Sequence, residues 1–311
     1  MKFSIISPVY GAATILQELV NEIEAAVKTI TDDYEIILVE DHSPDESKNI
    51  IRNICAKNKH VVGAFHSRNF GQQYAIHTGF TLATGDYIVT MDCDLQDTPS
   101  LIKNLYEKSQ EGYDIVFASR QNRQDGYIKK LGSKLFNQVL GFLTETVQDE
   151  TIANFVLYKK KAVDSMLNMG DYRRYYPLMN HWVGFDTCKL PIPHAERTDG
   201  KASSYSMRKR IELALNTAVA FSTKPLRLII YSGALLSIIA IIMALAFVVC
   251  YMCGTTTVSG WTTLFVSIWF VAGLMMMTMG IVAIYVGNVF EQSKNRPITI
   301  VSEVLNNNIQ K

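Results

Sequence analysis

The chain has 311 residues and a formal net charge of only +1, with Asp, Glu, Lys and Arg making up 19% of the sequence. That balance supplies no global attraction for nucleic acid, and the length asks for one large or two smaller folded units. The charges are unevenly placed: none falls between Leu228 and Phe290. A bilayer span needs about 20 mostly apolar residues, so this run is expected to hold two spans and a short turn.

From the start, Phe3 to Val9 (FSIISPV) is β-branched and reads as a buried strand, with Pro8 near its end. Met1-Lys2-Phe3-Ser4 enters that strand without the apolar segment and cleavage site of a signal peptide, so the soluble part is expected in the cytoplasm. Ile15, Leu16, Leu19, Ile23 and Val27 recur at helical spacing. Strands are then predicted over Glu35–Val39, Val61–Phe65, Tyr87–Met91 and Asp114–Ala118. Helices are predicted over Ser47–Ala56 and Gln72–Ala83, and from Pro99 to about Gln110. This alternation implies an α/β domain with a mostly parallel sheet. In such sheets ligands gather at the carboxyl ends of the strands.

Beyond residue 120 the alternation weakens. Lys129–Leu143 reads as an amphipathic helix, Phe155–Tyr158 as a strand, Ala162–Met169 as a helix and Thr187–Ile192 as a strand. Met207–Phe221 opens with Arg208, Lys209 and Arg210 and reads as a basic amphipathic helix in the membrane interface. The spans are expected at Leu228–Tyr251 and Trp261–Val289, flanked by Lys224 and Arg227 and by Lys294 and Arg296. These flanking cations place both ends in the cytoplasm. The expected organisation is a catalytic domain at 1–205, an interfacial helix and linker at 206–227, a two-helix hairpin at 228–290 and a cytoplasmic tail at 291–311. The five cysteines, Cys55, Cys93, Cys188, Cys250 and Cys253, are scattered and odd in number, which suits a reducing compartment.

The strongest chemical signal is Asp92-Cys93-Asp94-Leu95-Gln96-Asp97, directly after the strand YIVTM. Carboxylates at i and i+2, at a strand end, aim at one hard cation, and Gln96 adds a neutral oxygen. Mg²⁺ takes one or two carboxylates and completes its shell with water and substrate phosphates, so the pattern suits a diphosphate. Asp41 follows the second strand and is a candidate partner of a nucleoside, or a turn residue beside the cap region Ser43-Pro44-Asp45. Arg68-Asn69-Phe70-Gly71 follows the third strand and brings an arginine suited to phosphate. The six histidines show no metal-ligand spacing, there is no Walker or Rossmann glycine loop, and the aromatics do not interleave with a basic stripe.

With these residues in view, the chain resembles the family 2 glycosyltransferases of the GT-A fold. Among them it is similar to the polyprenyl-phosphate group that includes dolichyl-phosphate mannose synthase. The resemblance rests on SPVY (7–10), VEDHSPD (39–45), SRNFGQQYA (67–75), ATGDYIVTMDCDLQD (83–97) and EGYDIVFASR (111–120). AERTDG (195–200), KPLR (224–227) and the two spans extend it. A weaker resemblance, in RQNRQD (120–125) and HAER (194–197), is to undecaprenyl-phosphate aminoarabinose-type transferases. The resemblance implies a GT-A, Rossmann-like sheet domain followed by amphipathic interface helices and two transmembrane helices. It implies inverting transfer of a sugar from a nucleotide-diphosphate sugar, UDP being the commonest, to a polyprenyl phosphate such as undecaprenyl phosphate.

The same resemblance assigns Pro8, Tyr10, Asp41, Arg68, Gln72 and Asp92 to the nucleotide sugar. Asp92, Asp94 and Gln96 would hold Mg²⁺ or Mn²⁺, with Asp92 and Asp94 catalytic. Arg120, Arg123, Arg173, Arg174, Arg197, Ser204 and Tyr205 would meet acceptor or diphosphate. Inner-membrane, multi-pass placement and a possible homo-oligomer follow from the same comparison. Alternatives are a family 2 transferase with a hydroxyl acceptor, and a catalytically silent membrane partner protein. The chain departs from the family pattern at Gly11-Ala12, where Asn-Glu is usual, at Glu40-Asp41-His42 in place of Asp-Asp-Gly, and around Gly200–Ser204. It also carries Asn154 where many relatives carry Asp.

Overall fold

A computed structural model describes residues 1–120, 152–192, 224–253 and 260–307. The expected strands and helices up to residue 120 are present with small shifts at their ends. They are β1 (Phe3–Val9), α1 (Leu16–Val27), β2 (Tyr34–Glu40), α2 (Ser47–Lys57), β3 (Val61–His66), α3 (Gln72–Leu82) and β4 (Tyr87–Thr90). A short 3₁₀ turn at Pro99–Leu101 leads into α4 (Ile102–Ser109), followed by β5 (Ile115–Arg120). Next come β6 (Ile152–Lys159), α5 (Lys160–Leu167), α6 (Tyr176–Trp182), β7 (Thr187–Ile192), α7 (Lys224–Met252), α8 (Trp261–Ser293) and β8 (Val301–Leu305).

The strands form one eight-stranded sheet in the order β7-β5-β6-β4-β1-β2-β3-β8. β1 lies parallel to β2 and β4, β2 to β3, and β5 to β7, while β6 and β8 run antiparallel to their neighbours. β1 and β2 are buried at every position, which explains their unbroken apolar sequence: helices cover both faces. Pro8 is tolerated in this central strand because β1 outruns β4, whose register ends at Ile6↔Thr90. The chain order reverses direction at β1, with β2 on one side and β4 on the other, and this is the switch point where a crevice opens. Helix α3 lies tight on β1: a Cβ at Gly79 would sit 2.3 Å from Ile6 Cγ2, so glycine is required there.

At the amino ends of the strands a polar cluster ties β1, β2 and the turn before β4 together. Glu35 accepts from Ser4 Oγ (2.6 Å), the Thr84 amide (2.7 Å) and Lys2 Nζ (2.9 Å). Burial pushes its carboxyl up, but these partners outweigh it and hold it below the ordinary carboxylate range.

The chain divides into two compact units. One holds the sheet; the other runs from Tyr205 to Asn295, and its described part holds α7 and α8. The first unit takes the chain back at Arg296, within the segment 291–311 read from the sequence as a cytoplasmic tail. Val301–Leu305 adds an antiparallel edge strand to β3, because its alternation of half-buried and exposed residues matches a sheet edge. Helix α6 also has no counterpart in the sequence reading. The expected helices at Lys129–Leu143 and Met207–Phe221 lie outside the described residues. Both expected spans fall within helices, and among the described residues one segment, Ser267–Ser293, is long and apolar enough by length and composition to cross a bilayer.

Candidate active site

The crevice at the switch point is a cleft of about 400 Å³. Pro8 and Tyr10 come to it from the end of β1, Asp41 from the end of β2, Gly71 and Gln72 from the start of α3, and Asp92 and Asp94 from the loop after β4. Six of the expected donor and metal residues therefore share one cavity. Tyr10 lines the cleft and is 56% exposed. Arg68 is not among the lining residues; its guanidinium lies over the Phe70 ring at 4.1 Å from the centroid.

The two carboxylates after β4 are held by different devices. Gln72 Nε2 donates to Asp92 Oδ1 at 2.6 Å, and Asn154 Nδ2 reaches Asp92 Oδ2 at 3.2 Å. Two side-chain amides thus help to orient Asp92. Asn154 arrives from β6, the strand antiparallel to β4, so its partnership with Asp92 depends on a pairing across 62 residues of sequence. Asp94 Oδ1 accepts the Gln96 backbone amide at 3.2 Å. Leu95 between them has φ 54° and packs partly buried against the core. This left-handed residue reverses the chain between Asp94, which lines the cleft, and the apolar interior; a bulky residue there is strained, as functional loops often are. Cys93 lines the same cleft, and burial is the main cause that pushes its thiol up to about 12, so it stays a neutral thiol.

Asp41 is 3% exposed and braces the cleft wall. Its Oδ1 accepts from His66 Nδ1 (2.8 Å) and the Phe70 amide (2.8 Å), and its Oδ2 from the Gly71 amide (2.7 Å). Burial pushes this carboxyl up, yet the His66 contact and the two amides outweigh it and hold the group below its usual range. Gly71 has φ 103°, a conformation that glycine adopts without penalty, and this lets its amide turn toward Asp41. Nearby, Asp45 accepts the Ala13 and Ser47 amides at 3.0 and 3.1 Å, tying the loop after β1 to the start of α2.

Among the described residues no three His, Cys, Asp or Glu side chains group as metal ligands. The acidic pair at the cleft fits a hard divalent cation that draws its other ligands from water and a bound diphosphate. The expected acceptor arginines separate. Arg173 is exposed on the loop before α6, and Arg120 ends β5. Arg174 is 6% exposed, with Nη1 on the Met166 carbonyl at 3.0 Å near the end of α5. Arg123, Arg197, Ser204 and Tyr205 lie outside the described residues. Sequence reasoning found no functional spacing for His66 and did not foresee the hydrogen bond from Asn154 to Asp92, since neither belongs to a motif with metal or nucleophile spacing.

Comparison with known proteins agrees with this geometry. The family model for Glycosyl transferase family 2 matches residues 4–169. The undecaprenyl-phosphate 4-deoxy-4-formamido-L-arabinose transferase of Klebsiella pneumoniae (strain 342) is 32% identical over 307 residues, covering 98% of this chain and 94% of that protein. The protein of the same name from Enterobacter sp. (strain 638) is 31% identical over the same span. Among solved structures, a mannosyltransferase from Pyrobaculum calidifontis in complex with GDP-Man and Mn²⁺ shares the fold at 14% identity, with a TM-score of 0.50 over 95% of this chain and 88% of that one. Glucosyl-3-phosphoglycerate synthase from Mycobacterium tuberculosis, in complex with Mn²⁺, UDP-glucose and phosphoglyceric acid, does so at 13% identity, with a TM-score of 0.51 over 70% of this chain and 78% of that one. The chain belongs to glycosyl transferase family 2, built on a GT-A fold.

Proposed function

We propose that this protein transfers a sugar from a nucleoside diphosphate sugar, UDP-linked in the first instance, to the phosphate of a polyprenyl lipid such as undecaprenyl phosphate. The observation that carries this reading is the convergence of Tyr10, Asp41, Gln72, Asp92 and Asp94 on one cleft at the switch point of the sheet. It is joined by the full-length similarity to curated relatives whose names specify that lipid acceptor. A divalent ion, Mg²⁺ or Mn²⁺, would be held by Asp94 and Asp92 and would neutralise the leaving diphosphate as it departs.

The chain's own residues supply placement. Tyr10 covers the base or ribose, Asp41 fixes the wall against which the nucleoside rests, and Gln72 and Asn154 keep Asp92 facing the diphosphate. A lipid phosphate is already an anion near neutral pH. Its oxygen attacks the anomeric carbon, the bond to the nucleotide diphosphate breaks, and configuration inverts, with no strong base required. Catalysis then rests on positioning and charge stabilisation. A hydroxyl acceptor would need a general base. Neither Asp41, spent on three donors, nor the amide-bound Asp92 is free for that role.

The acceptor phosphate would be met by Arg120, Arg173 and the arginines at 123 and 197, with Ser204 and Tyr205. The helices α7 and α8 would form the two-span hairpin that keeps the lipid at the cytoplasmic face of the inner membrane. Incubating the purified protein with Mn²⁺, undecaprenyl phosphate and a panel of nucleotide sugars, then weighing the lipid product, tests this. One sugar phosphodiester of the lipid is expected. Turnover only with a hydroxyl acceptor, or none with any donor, would overturn the assignment.

A further inference from the structure

A line of hydrogen bonds leads from the cleft wall to the segment that returns after α8. Asp41 Oδ1 meets His66 Nδ1 at 2.8 Å, His66 Nε2 meets Thr78 Oγ1 at 2.8 Å, and Thr78 Oγ1 meets Thr299 Oγ1 at 3.0 Å. His66 is 1% exposed and Thr78 3%, so water does not substitute for either partner. An ionised Asp41 only accepts, which places a proton on His66 Nδ1. His66 Nε2 and Thr78 Oγ1 share the next hydrogen bond, and Thr78 Oγ1 and Thr299 Oγ1 the one after it. Such a chain fixes the imidazole more firmly than any one link alone.

Thr299 is itself held in place by the residues that follow it. The Ser67 amide donates to the Ile300 carbonyl at 3.0 Å, and Ser302 Oγ donates to the Phe65 carbonyl at 3.0 Å. Farther along, Asn306 Nδ2 reaches the Cys55 and Val61 carbonyls at 2.7 and 3.0 Å, and Glu303 pairs with Arg52 at 2.5 Å. The returning strand is therefore pinned to β3 and α2 over its length, and its first hydroxyl points at the buried relay.

We infer that Thr299, acting through Thr78 and His66, is a positioning residue for the donor cleft: it sets the imidazole that, with Asp41, holds the Phe70–Gly71 backbone at the cleft wall. This rests on the proposed nucleotide reading of the cleft, and the test separates the two.

Thr299→Val and Thr78→Val remove a hydroxyl at nearly constant volume; Thr299→Ser and Thr78→Ser restore it. In the full-length protein, both valine variants are expected to speed hydrogen exchange at the Phe70 and Gly71 amides by about 10-fold, the worth of roughly one net hydrogen bond. UDP affinity in Mn²⁺ should fall, and donor KM rise, by about 3- to 10-fold with kcat within about twofold, since uniform binding is what is lost. The serine variants should return toward wild type. Unchanged exchange at the two amides, exchange raised equally throughout the β1–β2 core, or serine variants as impaired as valine would each overturn the inference. Faster exchange as expected in a protein that binds no UDP would uphold the bracing and sink the donor reading instead.

Discussion

Replacing Asp94 by Ala is expected to lower sugar transfer by about 10²- to 10³-fold while leaving the sheet domain folded, a loss of the size seen when one preorganised charge partner of a transition state is removed. Asp94 lines the cleft and accepts the Gln96 amide within its own loop, so the fold does not lean on it. Leu95 keeps its place in the core in the variant, and the loop path should survive. The defect belongs in chemistry and in metal-dependent nucleotide binding together. Raising Mn²⁺ should recover part of the loss, because Asp92 remains in place on its amides. A variant that retains transfer within about threefold of wild type would remove the metal role from this residue.

Asp41→Ala is expected to act by another route. It strips the acceptor from two main-chain amides and from the buried His66 at once. An unsatisfied buried donor costs about 1–3 kcal/mol, so the sum is on the order of 3 kcal/mol or more. Gly71, at φ 103°, has little else to hold its amide toward the wall. Thermal unfolding should shift clearly downward, and UDP affinity should fall further than in any variant of Thr78 or Thr299. Asp41→Asn, which keeps an acceptor oxygen but turns an NH₂ toward a donor, should recover only part of either loss. The two readouts matter together: a drop in UDP affinity with unchanged stability would make Asp41 a direct ligand and not a brace.

Much of the sheet domain was legible in the sequence because its strands are unbroken apolar runs buried on both faces, and its helices carry apolar residues at every third or fourth position. Phe3–Val9 was read to the residue. The cleft was legible for the same reason: the polar residues just after each strand fall at the sheet's carboxyl edge, and topology gathers them there. What escaped was what depends on distant pairing. Val301–Leu305 is five residues with weak alternation, and only its register with Gly63–His66 makes it a strand. Asn154 reaches Asp92 because β6 inserts antiparallel beside β4, an order that local pattern does not encode. His66 and Thr78 carry no motif; their role comes from burial and from a partner more than 200 residues away along the chain, |i−j| being 221 for Thr78 and Thr299. Arg174 shows the converse: a side chain that looks exposed in sequence is buried, with Nη1 on the Met166 carbonyl.

All of this turns on a cation held between the acidic pair and a nucleotide diphosphate. Titrating the full-length protein with UDP, with Mn²⁺ present and then with chelator, and following the bound Mn²⁺ signal by electron paramagnetic resonance, tests it without an acceptor or a known sugar. The expected result is a bound Mn²⁺ signal that appears with UDP, disappears in Asp94→Ala, and is matched by loss of UDP binding in chelator. Equal UDP affinity with and without the metal, or a Mn²⁺ signal unchanged in Asp94→Ala, would contradict it.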